Sequence, residues 1–213
     1  MIKAIFFDVN GTLLKSNRKF FDFLADRLGN RELGNKAKAK FREKIEKFSG
    51  QNFRPFLELV REAASETFGR EFSLPKITEI YEDYIEKEMY IEKRTKDVLE
   101  NLGRNYKLGI ISNGSKEIVA KQLSFFGISK FFEVVITSDD AKAFKPDRKI
   151  FLLALNMLKI KPENAAFVGN SKNDMLGAKK VGIRAISLSD DKDADFRIKS
   201  LEELERILAN KHV

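Results

Sequence analysis

The 213-residue sequence predicts an α/β fold, a Rossmann-like doubly wound parallel sheet core with a small α-helical bundle domain. Three observations predict it. The chain opens on a short apolar run that ends in Asp8 and a turn. The stretch from Asn17 to about Ile91 then keeps a helical period throughout, and after Thr95 strands and helices alternate singly. Strands separated by single helices pair in parallel with helices on both faces, and the unbroken helical stretch reads as an insertion after the first strand. The expected division is a core of residues 1–14 and 95–213 around a helical domain of residues 15–94.

Each element has a local reason. Lys3 to Val9 is a buried strand, a short apolar run stopped by a turn. Asn17 can cap a helix that buries Phe20, Phe21, Phe23, Leu24 and Leu28 and stops near Gly29 and Asn30. A second helix, Lys36 to Phe48, is basic outside with Phe41, Ile45 and Phe48 inside. Pro55 and Pro75 suit the first turns of two more helices, which end near Gly69 and Tyr90. No strand is expected between Asn17 and Ile91. Helix 95–104 leads into a strand at Lys107–Ser112, after which Ser115 caps a helix ending at Gly127. Phe132–Thr137 is the next strand, and Asp147 caps the helix after it. Ala165–Val168 follows as a strand, with a helix running to Val181 and stopped by Gly182. Arg184–Leu188 completes the strands, and Ser200 caps a terminal helix.

Composition narrows the chemistry. There is no cysteine, which excludes disulfides, zinc–thiolate sites and thiol nucleophiles. The single histidine, His212, sits in the C-terminal tail, which argues against a catalytic triad. With 43% hydrophobic and 34% charged residues the chain reads as globular rather than disordered. No apolar run approaches the ~20 residues of a membrane span, and the N-terminus lacks a signal-peptide layout, so a cytoplasmic protein is expected. The net charge of +8 is spread along helices beside acidic residues, with no basic run interleaved with aromatics. A small-molecule substrate, phosphorylated in view of the motifs below, is therefore expected, and neither nucleic acid nor membrane is.

The strand ends carry the chemistry, since ligands of doubly wound sheets bind at the carboxyl ends of the strands. The first ends in Asp8-Val9-Asn10-Gly11-Thr12 and the second in Ser112-Asn113-Gly114. Past the third comes Phe144-Lys145-Pro146-Asp147, and the fourth ends in Val168-Gly169-Asn170-Ser171, with Asp174 beyond. Asp8 can act as a nucleophile. Gly11 lets the backbone turn sharply, so that freed N–H groups at Gly11 and Thr12 can face an anion. Ser112 supplies a hydroxyl donor, joined by N–H groups at Asn113 and Gly114 where the next helix begins. Lys145 supplies a fixed positive charge. Asn170 and Asp174 are oxygen donors suited to a hard cation such as Mg²⁺.

This ordered set resembles the haloacid dehalogenase-like (HAD) hydrolase superfamily, over Met1 to about Leu208. The resemblance is carried by FFDVNGTLL at the start, ISNGS at 111–115, KPD at 145–147 and FVGNSKNDMLGAKKVG at 167–182. It implies that the helical insertion is a cap, that Asp8 is the nucleophile, and that Ser112 and Lys145 bind the transferred group. It also implies that Mg²⁺ is held by Asp8, the Asn10 backbone carbonyl, Asn170 and Asp174.

Two positions depart from the family's phosphatases. They usually read DxDGT where this chain has Asn10, and GDxxxD where it has Asn170. An amide at position 10 can neither protonate a leaving group nor take a proton from water, help worth roughly 10²–10⁴-fold. Three readings follow. The first is a Mg²⁺-dependent phosphatase that forms a phospho-aspartate at Asp8, attenuated by Asn10 and Asn170. The second is a 2-haloacid dehalogenase, in which Asp8 attacks carbon without metal. That branch commonly has SNGS, as at 112–115, but also a tyrosine where Phe151 stands and SSNxxD in the fourth motif. In that reading Lys40 or Arg42 could receive a substrate carboxylate. The third is a binding or regulatory protein that kept the fold and lost turnover, or an inactivated variant of an active enzyme.

Overall fold

The structure is a computed structural model and describes residues 1–48 and 52–209. His212 lies outside the described residues. β1 (Ala4–Phe7) is followed by β2 (Leu14–Ser16) and by four helices: α1 (Phe20–Arg27), α2 (Gly34–Lys47), α3 (Phe56–Phe68) and α4 (Leu74–Glu88). β3 (Met89–Ile91) pairs antiparallel with β2, so that Leu14 faces Ile91 and Ser16 faces Met89. This ribbon carries the chain into and out of the bundle. No strand was expected there, because a three-residue ribbon held by a non-local partner leaves no periodic trace.

The rest alternates: α5 (Thr95–Gly103), β4 (Lys107–Ser112), α6 (Lys116–Phe125), β5 (Val134–Thr137), α7 (Ser138–Ala141) and α8 (Arg148–Leu158). Then come β6 (Ala165–Gly169), α9 (Lys172–Val181), β7 (Arg184–Ser187), β8 (Phe196–Arg197) and α10 (Glu203–Ala209). Six strands form one parallel sheet in the order β5-β4-β1-β6-β7-β8, a doubly wound arrangement with β1 at the centre. β1 is buried on both sides, as a central parallel strand must be. Ile5 and Phe7 enter the apolar cluster shared with the bundle, whereas Ala4 and Phe6 enter the cluster on the opposite face.

The caps expected at Ser115 and Asp147 form, accepting from the first-turn amides of α6 and α8, and Ser171 does the same for α9. Other details differ. Lys19, not Asn17, occupies the position before α1 and caps nothing, while the Asn17 N–H donates to Glu88 O across the ribbon. Phe20, Ile45 and Phe48 are half-buried at the bundle's edge rather than inside it. α4 ends at Glu88, before Tyr90, because the ribbon takes over. α10 begins three residues past Ser200, and the Glu203 carboxylate accepts from the Lys199 N–H. Among the described residues no helix is long and apolar enough to cross a membrane.

Candidate active site

Strand order reverses between β1 and β6, and ligands of such sheets bind in the crevice beyond their carboxyl ends. β1 stops one residue before Asp8, β4 ends on Ser112 and β6 on Gly169, so Asp8, Ser112 and Asn170 emerge on one edge. Lys145 reaches the same edge from the loop before α8. Its Nζ lies 2.7 Å from Asp8 Oδ1 and 2.7 Å from Asp174 Oδ1, and donates to Ile111 O at 3.0 Å. All three charged side chains are buried. Burial lifts the Asp8 carboxyl to about 6, a rise that Lys145 opposes and Asp174 reinforces. Burial also works against the Lys145 charge, but Asp174 and Asp8 outweigh it and hold the ammonium above an ordinary lysine.

The remaining sequence-predicted residues support this cluster in ways the motifs did not foretell. Gly11 sits at φ +86°, and a Cβ there would come within 2.2 Å of Asn170 Nδ2, so only glycine fits. Its N–H, however, donates to Leu14 O at 2.7 Å, and that of Thr12 to Val9 O at 3.3 Å. These two amides close their own turn and are not free for an anion, contrary to the expectation. The Gly114 N–H is likewise taken, by Ser112 Oγ at 3.2 Å, which leaves the Ser112 hydroxyl hydrogen available. The Asn113 side chain has a further part: its Oδ1 accepts from Lys145 N at 2.6 Å and so sets the lysine's position.

The oxygen donors can be tested against a cation. Asp8 Oδ2 and Asn170 Oδ1 lie 3.5 and 3.3 Å from the same Thr12 Oγ1. Asp174 Oδ2 accepts from Asn170 N, Ser171 N and Ser171 Oγ, while its buried Oδ1 makes no hydrogen bond and meets only the lysine charge. Two carboxylates against one ammonium leave the cluster a net negative charge. Among the described residues no group of three or more His, Cys, Asp or Glu side chains is placed to hold a metal by itself. Asp8, Asp174 with its unbonded Oδ1, and Asn170 Oδ1 fit Mg²⁺, which binds through one or two carboxylates and completes its shell with water and substrate oxygens.

A haloacid dehalogenase-like hydrolase family model matches residues 5–188. This chain belongs to that family. Pyrophosphatase PpaX of Bacillus cereus is 28% identical over 221 residues, spanning 98% of this chain and 97% of the relative. A HAD phosphatase from Thermococcus onnurineus superposes with a TM-score of 0.68 at 29% identity, covering 100% of both chains. L-2-haloacid dehalogenase from Xanthobacter autotrophicus shares the fold at a TM-score of 0.80 and 22% identity, over 99% of this chain and 100% of that one. The protein is thus a HAD-like hydrolase with a parallel, Rossmann-like core.

Sequence reasoning missed three contributors. Lys15 Nζ donates to Gly11 O at 2.6 Å and braces the first turn. Tyr81, from α4, is buried beside the cleft, and burial, with help from Tyr84 and Asp8, holds its hydroxyl well above the usual range. Gln122, fully buried on α6, donates to Asn10 Oδ1 at 2.8 Å. A signal for Gln122 existed: Ile118, Val119 and Leu123 mark the buried stripe of that helix, and a polar residue at 122 falls on it. Of the bundle residues considered for a substrate carboxylate, Lys40 pairs with Glu66 and Arg42 is exposed.

Proposed function

We propose that the protein is a Mg²⁺-dependent phosphohydrolase of a small phosphorylated substrate, working through a phospho-aspartate at Asp8. The observation that carries this reading is the buried Asp8–Lys145–Asp174 cluster at the switch point of the sheet. Asp8 keeps Oδ2 clear of the lysine for attack on phosphorus. Lys145 holds Asp8 in place and meets the charge of the incoming phosphoryl oxygens, while the Ser112 hydroxyl offers them a hydrogen bond. Asp8, the Asn10 backbone carbonyl, Asn170 and Asp174 would hold Mg²⁺, which would neutralise phosphoryl charge. Residues 15–94 act as a cap that excludes water and selects substrate. The names of the Bacillus cereus and Thermococcus relatives support phosphorus chemistry.

Asn10 lowers the rate in this reading, because an amide surrenders no proton. The dehalogenase reading has Ser112-Asn113-Gly114-Ser115 on its side. Against it, Phe151 is fully buried, with its ring 5.4 Å from that of Phe167, well inside the core. The test is phosphate release from p-nitrophenyl phosphate and from pyrophosphate with Mg²⁺, beside Asp8→Ala and Asn10→Asp. Release that Asp8→Ala abolishes, and whose kcat Asn10→Asp raises by about 10²–10⁴-fold by speeding the attack of water on the intermediate, is the expected result. Chloride release from 2-chloropropionate in chelator, with no phosphate release, would replace this reading with the metal-free one. Silence in both assays would leave the binding-protein reading.

A further inference from the structure

We propose that Asn10 serves as a fixed N–H donor to the departing oxygen, that Gln122 positions it, and that the pair restricts efficient turnover to phosphoanhydrides. The inference rests on the phosphohydrolase reading above and names the substrate class of the same site.

The geometry begins at Gln122. Its Nε2 donates to Asn10 Oδ1 at 2.8 Å and lies 3.4 Å from the Met89 sulfur. A thioether has no hydrogen to give, so the end of the Gln122 amide facing Met89 is the NH₂ end. That orientation fixes the next amide in turn. Asn10 must present its oxygen to Gln122, and its own NH₂ is directed away from it. Among the described residues that NH₂ has no hydrogen-bond partner. Asn10 is exposed, in the wall of a cavity of about 160 Å³ that it shares with Gly11, Phe56 and Tyr81. Full burial of Gln122 between α6 and the β2–β3 ribbon keeps the arrangement stiff.

The chemistry follows from what an amide can do. In the first step an Asp8 oxygen forms a bond to phosphorus and the bridging P–O bond breaks, its electron pair staying on the leaving oxygen. Asn10 shares a hydrogen with that oxygen but keeps the proton, so the group departs as an anion. An alkoxide from a sugar or glycerol phosphate is a strong base and leaves poorly without a proton. A phosphate leaving from an anhydride is a weak base and needs none. In the second step water attacks phosphorus, the Asp8–phosphorus bond returns its pair to the carboxylate, and the water's proton goes out with the orthophosphate or to solvent. Gln122 touches no reacting atom and is a positioning residue.

A leaving-group series tests this. kcat/KM is measured with Mg²⁺ for pyrophosphate, acetyl phosphate, p-nitrophenyl phosphate, phenyl phosphate and glycerol 3-phosphate. The parent should favour the anhydrides over glycerol 3-phosphate by about 100-fold or more, and Asn10→Asp should close most of that gap by accelerating the alkyl ester. Gln122→Leu should lower kcat/KM for pyrophosphate about 10-fold, and the same change placed on Asn10→Ala should cost almost nothing further, since the two act as one unit. Equal rates along the series, an equal gain for every substrate in Asn10→Asp, or additive losses in the double variant would overturn the proposal. Release that persists in Asp8→Ala would instead overturn the phosphohydrolase reading beneath it.

Discussion

Lysine and carboxylate meet in two very different settings in this molecule. At the sheet's edge Lys145 lies between Asp8 and Asp174, all three buried. On the helical bundle Lys44 lies between Glu62 and Glu66, and Arg27 pairs with Asp83, at the surface and partly open to water. The charges are of the same kinds and their surroundings differ. Exposed pairs are worth about 0–1 kcal/mol, because water and salt screen them. A buried pair gains little net stability, but removing one partner strands a charge and costs about 3–5 kcal/mol. The difference teaches that the bundle's pairs are surface chemistry, whereas the buried cluster is a site whose ionisable groups folding has taken out of water.

The largest effect tests the buried side. Lys145→Met should abolish phosphate release and lower unfolding stability in chelator by about 3 kcal/mol, read by urea titration. A variant as stable as the parent would erase the distinction. A pH series sharpens it. In metal-free protein the Asp8 carboxyl sits at about 6, above its ordinary 3.8, so between those values the native state keeps a proton that the unfolded chain has lost. Stability from this group is therefore present at low pH and lost as pH rises through about 6. Relative to Asp8→Asn, the parent should lose on the order of 2 kcal/mol between pH 4 and pH 7 in chelator. Identical slopes for the two proteins would contradict the assignment. The smallest effect belongs to the bundle, where Lys44→Ala should change stability by less than about 1 kcal/mol and leave turnover intact. A larger loss would mean that the exposed pairs matter to the fold after all.

The same contrast explains what could be read in the sequence. The central strands were readable because parallel strands buried on both faces are continuous apolar runs, as in Ala4–Phe7 and Ala165–Gly169. The β2–β3 ribbon and two-residue β8 were not, because their pairing depends on partners far along the chain or on too few residues. Asp8, Lys145 and Asp174 stood out as polar breaks at strand ends. Their supporting contacts did not. Nothing in Gly11-Thr12 says that the two amides close their own turn, and nothing in Asn113 says that it holds the Lys145 backbone. Gln122 was visible as a polar residue on an apolar stripe, but its partner, Asn10, lies 112 positions away.

The central claim is that Asp8 carries the phosphoryl group, and trapping tests it most directly. The protein is mixed with labelled pyrophosphate and Mg²⁺, quenched in acid within a turnover, and digested for mass analysis. Because Asn10 slows attack by water on the intermediate, a near-stoichiometric phosphoryl group should be found on Asp8, and Asn10→Asp should shorten its lifetime. Turnover with no label on the protein, or label that survives in Asp8→Ala, would contradict the account.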